Sequence, residues 1–276
     1  MKRIGADPAS MGRKYAKIGR RRRRRVIQSS VRMRILGVIP ARFASSRFPG
    51  KPLAILAGKP MLQHVYERAS QARYLTKLVI ATDDEGIREA ARGFGAPVVM
   101  TRADHPSGTD RAAEVASADT ADIVVNIQGD EPLIDPAAID AAALALLDDA
   151  NLPMATLKKR IENPEEIGNP NVVKVVSDHA GDAIYFSRCP IPYAREGGAP
   201  VYFKHIGLYV YRREFLLEYP SLPVGPLERA ERLEQLRALE NGYRIRLAET
   251  EYDSLGVDTP EDLERARGML ETIVAR

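Results

Sequence analysis

Several kinds of chemistry are excluded by what the chain lacks. It has a single cysteine, Cys189, so neither an intrachain disulfide nor a multi-cysteine metal site can form, which fits a reducing compartment. No stretch of about 18 apolar residues occurs, so no apolar spanning helix is expected. No apolar segment follows the N-terminal charges, so no secretory leader is read there. Neither G-x-x-x-x-G-K-[ST] nor G-x-G-x-x-G is present, which removes the P-loop and the dinucleotide-binding loop. No internal repeat and no recognised nucleic-acid-binding motif can be found.

What remains is ordinary globular material with one odd end. Apolar residues make up 45% and charged residues 28% of the 276, enough for a sizeable core in one large or two modest domains. The net charge of +4 hides an asymmetry. Residues 1–33 hold twelve Lys and Arg against one acid, a net +11, and the rest of the chain carries −7. Arg20 to Arg25 is an unbroken basic run. It reads as a disordered extension, with Met33 a natural start just before the first strand. The competing reading is an arm for nucleic acid or an anionic membrane. The acidic balance of the remainder speaks against a nucleic-acid-binding protein.

From residue 34, strand and helix patterns alternate. Apolar runs at Ile35–Ile39, Leu78–Thr82, Val98–Met100 and Ile123–Ile127 predict strands. Helical spacing over Met61–Ala72, Glu85–Phe94, Ser107–Ala118 and Pro136–Leu147 predicts helices between them. Strands apolar on both faces predict an α/β fold, a mainly parallel sheet with helices on both sides. After Asn151 the pattern changes. Met154–Leu157, Val172–Val176, Ala183–Phe186 and Phe203–Tyr211 read as strands joined by turns, so 154–215 reads as a β-rich insertion or lid. A helix over Leu227–Glu240, closed by Asn241-Gly242, a strand over Arg244–Glu249 and a last helix capped by Thr259 complete the chain.

One stretch organises the chemistry. Val38 to Leu53 is a strand end followed by a loop with Arg42, Ser45, Ser46, Arg47, Gly50 and Lys51. Three cations with Ser and Gly at the carboxyl end of a sheet strand are suited to a polyphosphate. Asn126 to Pro132 ends the most apolar strand with Asp130, a hard oxygen ligand that suits Mg²⁺. Glu131, next to a proline, reads as structural. A second aspartate, Asp258, precedes the last helix, but spacing alone does not show that the two meet. Ser107-Gly108-Thr109 reads first as a helix cap, with contact to a base or ribose as the alternative. His205, Gly207 and Tyr209 share one strand face and leave a gap that can admit a ligand. Cys189 has no companion motif, His64 reads as a packed histidine, and His105 and His179 read as loop residues.

In order along the chain stand P-A-R-x-x-S-S-R-x-P-G-K-P-L, A-T-D-D, T-R-A-D-H-x-S-G-T-D-R, N-I-Q-G-D-E-P, N-P-N-x-V-K-V-V, Y-F-S-R, K-H-I-G-L-Y-x-Y, P-L-E-x-x-E-x-L-E-Q-L-R and G-V-D-T-P-E-D-L. From about Arg34 to the C-terminus this set resembles the 3-deoxy-manno-octulosonate (Kdo) cytidylyltransferases of lipopolysaccharide synthesis. The resemblance implies a Rossmann-like nucleotidyltransferase fold of the GT-A kind, Mg²⁺ as cofactor, CTP and Kdo as substrates, a cytoplasmic location and a homodimer with the β-rich segment at its interface. It implies that Arg42, Ser46, Arg47 and Lys51 grip the triphosphate, and that Ser107, Gly108, Thr109 and Gln128 serve the cytidine. Asp130 and Asp258 would hold Mg²⁺ and, with Arg42 and Lys51, carry catalysis. Arg188, His205, Tyr209, Glu234 and Gln235 would form the sugar pocket, with Arg188 facing the sugar carboxylate. The loop from Ala194 to Tyr202 looks shorter than in some relatives. A cytidylyltransferase for a sialic acid or an 8-amino Kdo analogue is the nearest alternative, since the same phosphate loop would serve.

Overall fold

The structure is a computed structural model that describes residues 33–44, 48–195 and 200–274. The basic head up to Arg32, Ser45 to Arg47 of the cationic loop, and four residues of the 194–202 loop lie outside the described residues.

β1 (Ile35–Ala41) is buried along almost its whole length. The loop after it turns at Gly50, whose φ of 71° lies in the left-handed region that glycine enters without a Cβ clash. A single 3-10 turn, Lys51–Leu53, and a short ribbon of β2 (Ile55–Leu56) and β3 (Lys59–Pro60) lead into α1 (Met61–Ala69). Next come β4 (Lys77–Thr82), α2 (Glu85–Gly93), β5 (Val98–Met100), α3 (Gly108–Ser117), β6 (Ile123–Asn126) and α4 (Pro136–Asp148). The second half holds β7 (Met154–Arg160), α5 (Glu165–Gly168), β8 (Lys174–Ser177), β9 (Ala183–Ser187), β10 (Phe203–Arg212) and α6 (Arg213–Glu218). α7 (Pro226–Glu231), α8 (Leu236–Glu240), β11 (Ile245–Glu249) and α9 (Pro260–Val274) close the chain.

Among the described residues the main sheet runs β11-β7-β10-β6-β1-β4-β5. β6, β1, β4 and β5 are parallel, as are β11 and β7, and β10 runs antiparallel between the two sets. Period-two alternation feeds two cores. Ile35 and Ile39 face one with α1, α2 and α4, while Leu36 and Val38 face the other with α3, α6 and α8. The α/β arrangement expected from the sequence, mainly parallel with helices on both faces, is the one observed. The stretch 154–215 is more deeply built in than a lid would be. Its first and last strands, β7 and β10, are interior members of the sheet, and only the β8–β9 hairpin branches from it.

One expected helix is broken. Leu227–Glu240 forms α7 and α8 with residues 232–235 between them, and Arg232 at the break adopts a left-handed conformation at φ 51°. The two pieces fold back on each other. Glu240 of α8 accepts bonds from the Leu227 and Glu228 amides at the start of α7, and Arg237 pairs with Glu228 at 2.7 Å. Those bonds satisfy first-turn donors of α7, which have no partner within the helix itself. The break is what lets Glu234 and Gln235 point into the site described next.

Candidate active site

The carboxyl ends of β1 and β6 lie side by side, and the loops that leave them carry the cationic stretch and Asp130. Gly129 makes their approach possible. A Cβ there would stand 2.5 Å from the Pro40 carbonyl oxygen, closer than any side chain can come. A third loop arrives from far along the chain. The Val257 amide donates to the Asp130 carbonyl at 2.9 Å, which pins the segment before α9 against the β6 loop. Asp262 then accepts from the Asp258 and Thr259 amides while its own amide donates to Thr259 Oγ1, the capping box read from the sequence.

Lys51 is the point where the three loops meet. Its Nζ donates to Asp130 Oδ2 at 2.8 Å and to Asp258 Oδ1 at 3.1 Å. The lysine side chain is largely buried, and the carboxylates are a third and a half exposed. Two aspartates that spacing could not join are therefore joined here. Arg42 lies exposed just beyond β1. Ser46 and Arg47 lie outside the described residues.

The residues assigned to the base form a different arrangement. Ser107 caps α3, its Oγ accepting from the Thr109 and Asp110 amides and donating to Asp110 Oδ2 at 2.6 Å. The plain capping reading of Ser-Gly-Thr is thus realised. Glu234 Oε1 lies 3.4 Å from the same Oγ. Burial raises the Glu234 pKa, against a hydrogen bond from Thr109 that lowers it. Gln128 Nε2 donates to the Gly207 carbonyl at 3.0 Å, tying the Asp130 loop to β10.

β10 carries the remaining cluster. Its pairing with β7 shifts register between Ile206 and Val210, where Thr156 of β7 is trapped against it. The Thr156 hydroxyl has one proton and faces two carbonyls, Leu208 O at 2.8 Å and Ile206 O at 3.1 Å. His205 Nε2, 2.9 Å from Thr156 Oγ1, therefore carries the proton and donates it there. His205 Nδ1 is left to accept from Gln235 Nε2 at 3.5 Å, and Gln235 Oε1 accepts from the Tyr209 hydroxyl at 3.1 Å. Phe186 packs edge-on against the imidazole, with centroids 4.9 Å apart. Burial pushes the His205 pKa down to about 3 and raises that of Tyr209, so both rings stay neutral. A cavity of ≈ 400 Å³ opens on this cluster, lined by His205, Tyr209 and Gln235 together with Lys204, Asp253 and Ser254.

Arg188 is placed differently from the other sugar-pocket residues. Its Nε donates to the Glu231 carbonyl at 2.7 Å and Nη1 to the Pro170 carbonyl at 2.9 Å, so the guanidinium holds the α7–α8 break. Neither Arg188 nor Glu234 lines the cavity. His64, read as a packed histidine, contacts the Leu56 carbonyl at 2.7 Å. His105, read as a loop residue, is in a loop but buried, with Glu114 as its partner.

Comparison with known proteins fits this geometry. A cytidylyltransferase family model matches residues 36–245. A 3-deoxy-manno-octulosonate cytidylyltransferase of Solibacter usitatus is 74% identical over 233 residues, covering 84% of this chain and 92% of that protein. One of Geobacter sulfurreducens is 56% identical, covering 84% and 98%. This chain belongs to the 3-deoxy-manno-octulosonate cytidylyltransferase family. A solved structure of CMP:2-keto-3-deoxy-manno-octonic acid synthetase complexed with CTP superposes with a TM-score of 0.84 at 47% identity, covering 87% of this chain and 99% of the other. A 4-diphosphocytidyl-2C-methyl-D-erythritol synthase from Anaerococcus prevotii, 13% identical with a TM-score of 0.59, shares the fold. The chain is accordingly a nucleotidyltransferase.

Sequence reasoning missed Thr156, which stands in a strand with no signal but its register. It also missed the surroundings of Glu131. That carboxyl is buried and accepts from Tyr252 Oη at 2.8 Å and Ser254 Oγ at 2.7 Å. Burial raises its pKa to about 7 against those two bonds, and the charge of Asp130 adds to the rise. The polar Tyr252 and Ser254 shortly before G-V-D-T were the one visible hint.

Proposed function

We propose that the protein transfers CMP from CTP to the anomeric 2-hydroxyl of Kdo, releasing diphosphate. The observation that carries this reading is Lys51 bridging Asp130 and Asp258 at the carboxyl end of the sheet, beside a separate cavity walled in part by the neutral His205–Gln235–Tyr209 cluster. The sugar oxygen bonds to the α-phosphorus as the bond from that phosphorus to diphosphate breaks, and the hydroxyl proton goes to solvent. Arg42, Arg47 and Lys51 neutralise the triphosphate. Ser107, Gly108, Thr109 and Gln128 set the cytidine. His205, Tyr209 and Gln235 orient the sugar hydroxyls from the cavity wall, with Glu234 next to them at the Ser107 cap and Arg188 supporting the wall. Positioning and charge carry the reaction.

The donor set fits Mg²⁺. Among the described residues no group of three or more His, Cys, Asp or Glu could cage an ion. Two carboxylates drawn together on one ammonium offer two hard oxygens, which suits a cation that takes its other ligands from water and phosphate. Asp130 and Asp258 would hold it, and when bound it supplies positive charge to the phosphate oxygens. Among the described residues no helix is long and apolar enough to cross a membrane, in keeping with a cytoplasmic enzyme. Exposed Ile184, Tyr193 and Val201 around the β8–β9 hairpin support a homodimer through that face.

Diphosphate release tests the reading. With CTP and Mg²⁺, Kdo should give rapid release, and a sialic acid or an 8-amino analogue at least tenfold less. Release with the analogue and none with Kdo would replace the substrate. No release with any acidic sugar would overturn the reading.

A further inference from the structure

Glu131 is one peptide from Asp130 but faces away from Lys51, into a buried place of its own. Its surroundings are unusual for a carboxyl group. The partners found for it are two neutral hydroxyls, and burying a carboxylate against such groups is a costly way to fill a core. What it offers instead is two acceptors at fixed directions from a single side chain. Oε2 takes Tyr252 and Oε1 takes Ser254, so one fork grips two places on the same segment.

That segment is the link between β11 and α9, residues 250–259. It has almost no regular structure of its own, and Asp258 sits near its end. Elsewhere it is held by the Thr250 amide on the Lys158 carbonyl, by Asp253 between Lys159 and Lys204, and by the Val257 amide on the Asp130 carbonyl. Lys51, which pairs with both aspartates, links the segment to the Asp130 loop through a flexible side chain. The Val257 bond and the Glu131 fork link it directly. The fork fixes the segment four residues before Asp258, so loosening Tyr252 and Ser254 from Glu131 lets Asp258 move against Asp130.

We propose that Glu131 is a positioning residue that sets the separation of Asp130 and Asp258 by gripping Tyr252 and Ser254. The proposal rests on the reading of those two aspartates as the Mg²⁺ ligands. Outer partners of this kind commonly change metal affinity by about 10–100-fold when removed.

The test uses the full chain, with Mn²⁺ as the probe, its binding in the presence of CTP followed by electron paramagnetic resonance. Glu131→Ala and the double variant Tyr252→Phe/Ser254→Ala should each weaken Mn²⁺ binding by about tenfold or more. The Mg²⁺ concentration for half-maximal velocity should rise in parallel in each. KM for the sugar is compared in Glu131→Ala alone, because Ser254 lines the sugar cavity, and should stay within twofold of the parent. Glu131→Gln, of the same size and still able to bond both hydroxyls, should recover most of the affinity. If Glu131→Ala does not fold, the double variant, which keeps Glu131, carries the same comparison. Mn²⁺ affinity within twofold of the parent in the folded variants, with only the melting temperature lowered, would overturn the proposal. Asp130→Asn and Asp258→Asn are the references. Lost binding in them with unchanged binding in the Glu131 variants refutes the positioning role alone, and undiminished binding in them refutes the metal reading and this one with it.

Discussion

The two halves of the site are built from opposite materials. Around Lys51 the groups are ionic, come from loops, and leave the carboxylates partly open to water. Around His205 the groups are neutral, come mainly from paired strands, and are tied one to the next from Thr156 through His205 and Gln235 to Tyr209. The difference follows from what each half must hold. A triphosphate brings several charges and a metal, so its site needs countercharge and room for phosphate and water to complete the coordination. The proposed sugar brings one carboxylate and several hydroxyls; the hydroxyls are chosen by direction, and a neutral hydrogen-bonded network fixes direction better than mobile charges do. Gln128, bonded to Gly207, and the 250–259 segment, which runs from the cavity to Asp258, link the halves mechanically.

The comparison breaks hardest at the ionic half. Asp130→Asn should lower kcat by at least about 10²–10³-fold, the scale seen when one fixed charge-stabilising group is lost. Asp258→Asn should fall in the same range. Both ion pairs with Lys51 are partly exposed and so contribute about 1 kcal/mol or less, which bounds the loss of melting temperature to a few degrees. Turnover assays and thermal melts on the same preparations check both statements. Near-parental turnover in Asp130→Asn would remove the ionic half from the mechanism.

A smaller effect is expected across the cavity. Tyr209→Phe removes one hydroxyl and leaves the Gln235 carbonyl without its donor. A loss of about 1–1.5 kcal/mol corresponds to a rise in KM for the sugar of roughly five- to tenfold. KM for CTP should not move. Equal changes in both constants would show that the two halves are one unit and not two.

How much of this could be read along the chain depends on how local each feature is. The strands of the parallel half showed themselves as apolar runs, and the cap at Thr259 as a four-residue pattern, because each is decided within a few residues. The individual parts of the ionic half were legible for the same reason, as charged loops at strand ends. Their meeting was not, because Lys51 reaches partners 79 and 207 positions away. The motif set in the order of a known family supplied that link, and spacing did not. The helix break at Arg232 was hidden because Leu227–Glu240 has good helical composition throughout. The contacts that favour the break, Glu240 on the α7 start and Arg188 on the Glu231 carbonyl, come from outside any local window. Thr156 was hidden because a threonine in a strand is commonplace, and only the register shift opposite makes it a partner of His205.

The last and smallest expectation concerns the imidazole at the centre of the neutral half. Burial holds the folded His205 pKa down to about 3, against 6.5 for a free side chain. As pH falls below about 6.5 the unfolded chain takes up this proton and the folded chain does not, so stability is lost progressively toward pH 3. Above about pH 6.5 the group is neutral in both states and contributes nothing. The slope for one group is at most about 1.4 kcal/mol per pH unit, or about 2 kcal/mol by pH 5. Water in the cavity beside the ring makes the observed figure smaller. Carboxylates such as Glu231 behave in the same sense but at lower pH. There the burial that would raise the pKa is outweighed by bonds from Arg188 and Ser187, and stability is lost as pH falls through the carboxylate range. Glu131, raised to about 7 by burial, titrates in the same window with the opposite sign: its folded form takes up a proton first, so it adds stability as pH falls from 7 toward 4.5. The histidine is therefore isolated by the difference between two chains that both keep Glu131: chemical denaturation between pH 7 and 5 should show the parent losing more stability, or gaining less, than His205→Gln, which does not titrate there. Equal slopes would mean that the ring is charged in the folded state, and the neutral half of the comparison would have to be redrawn.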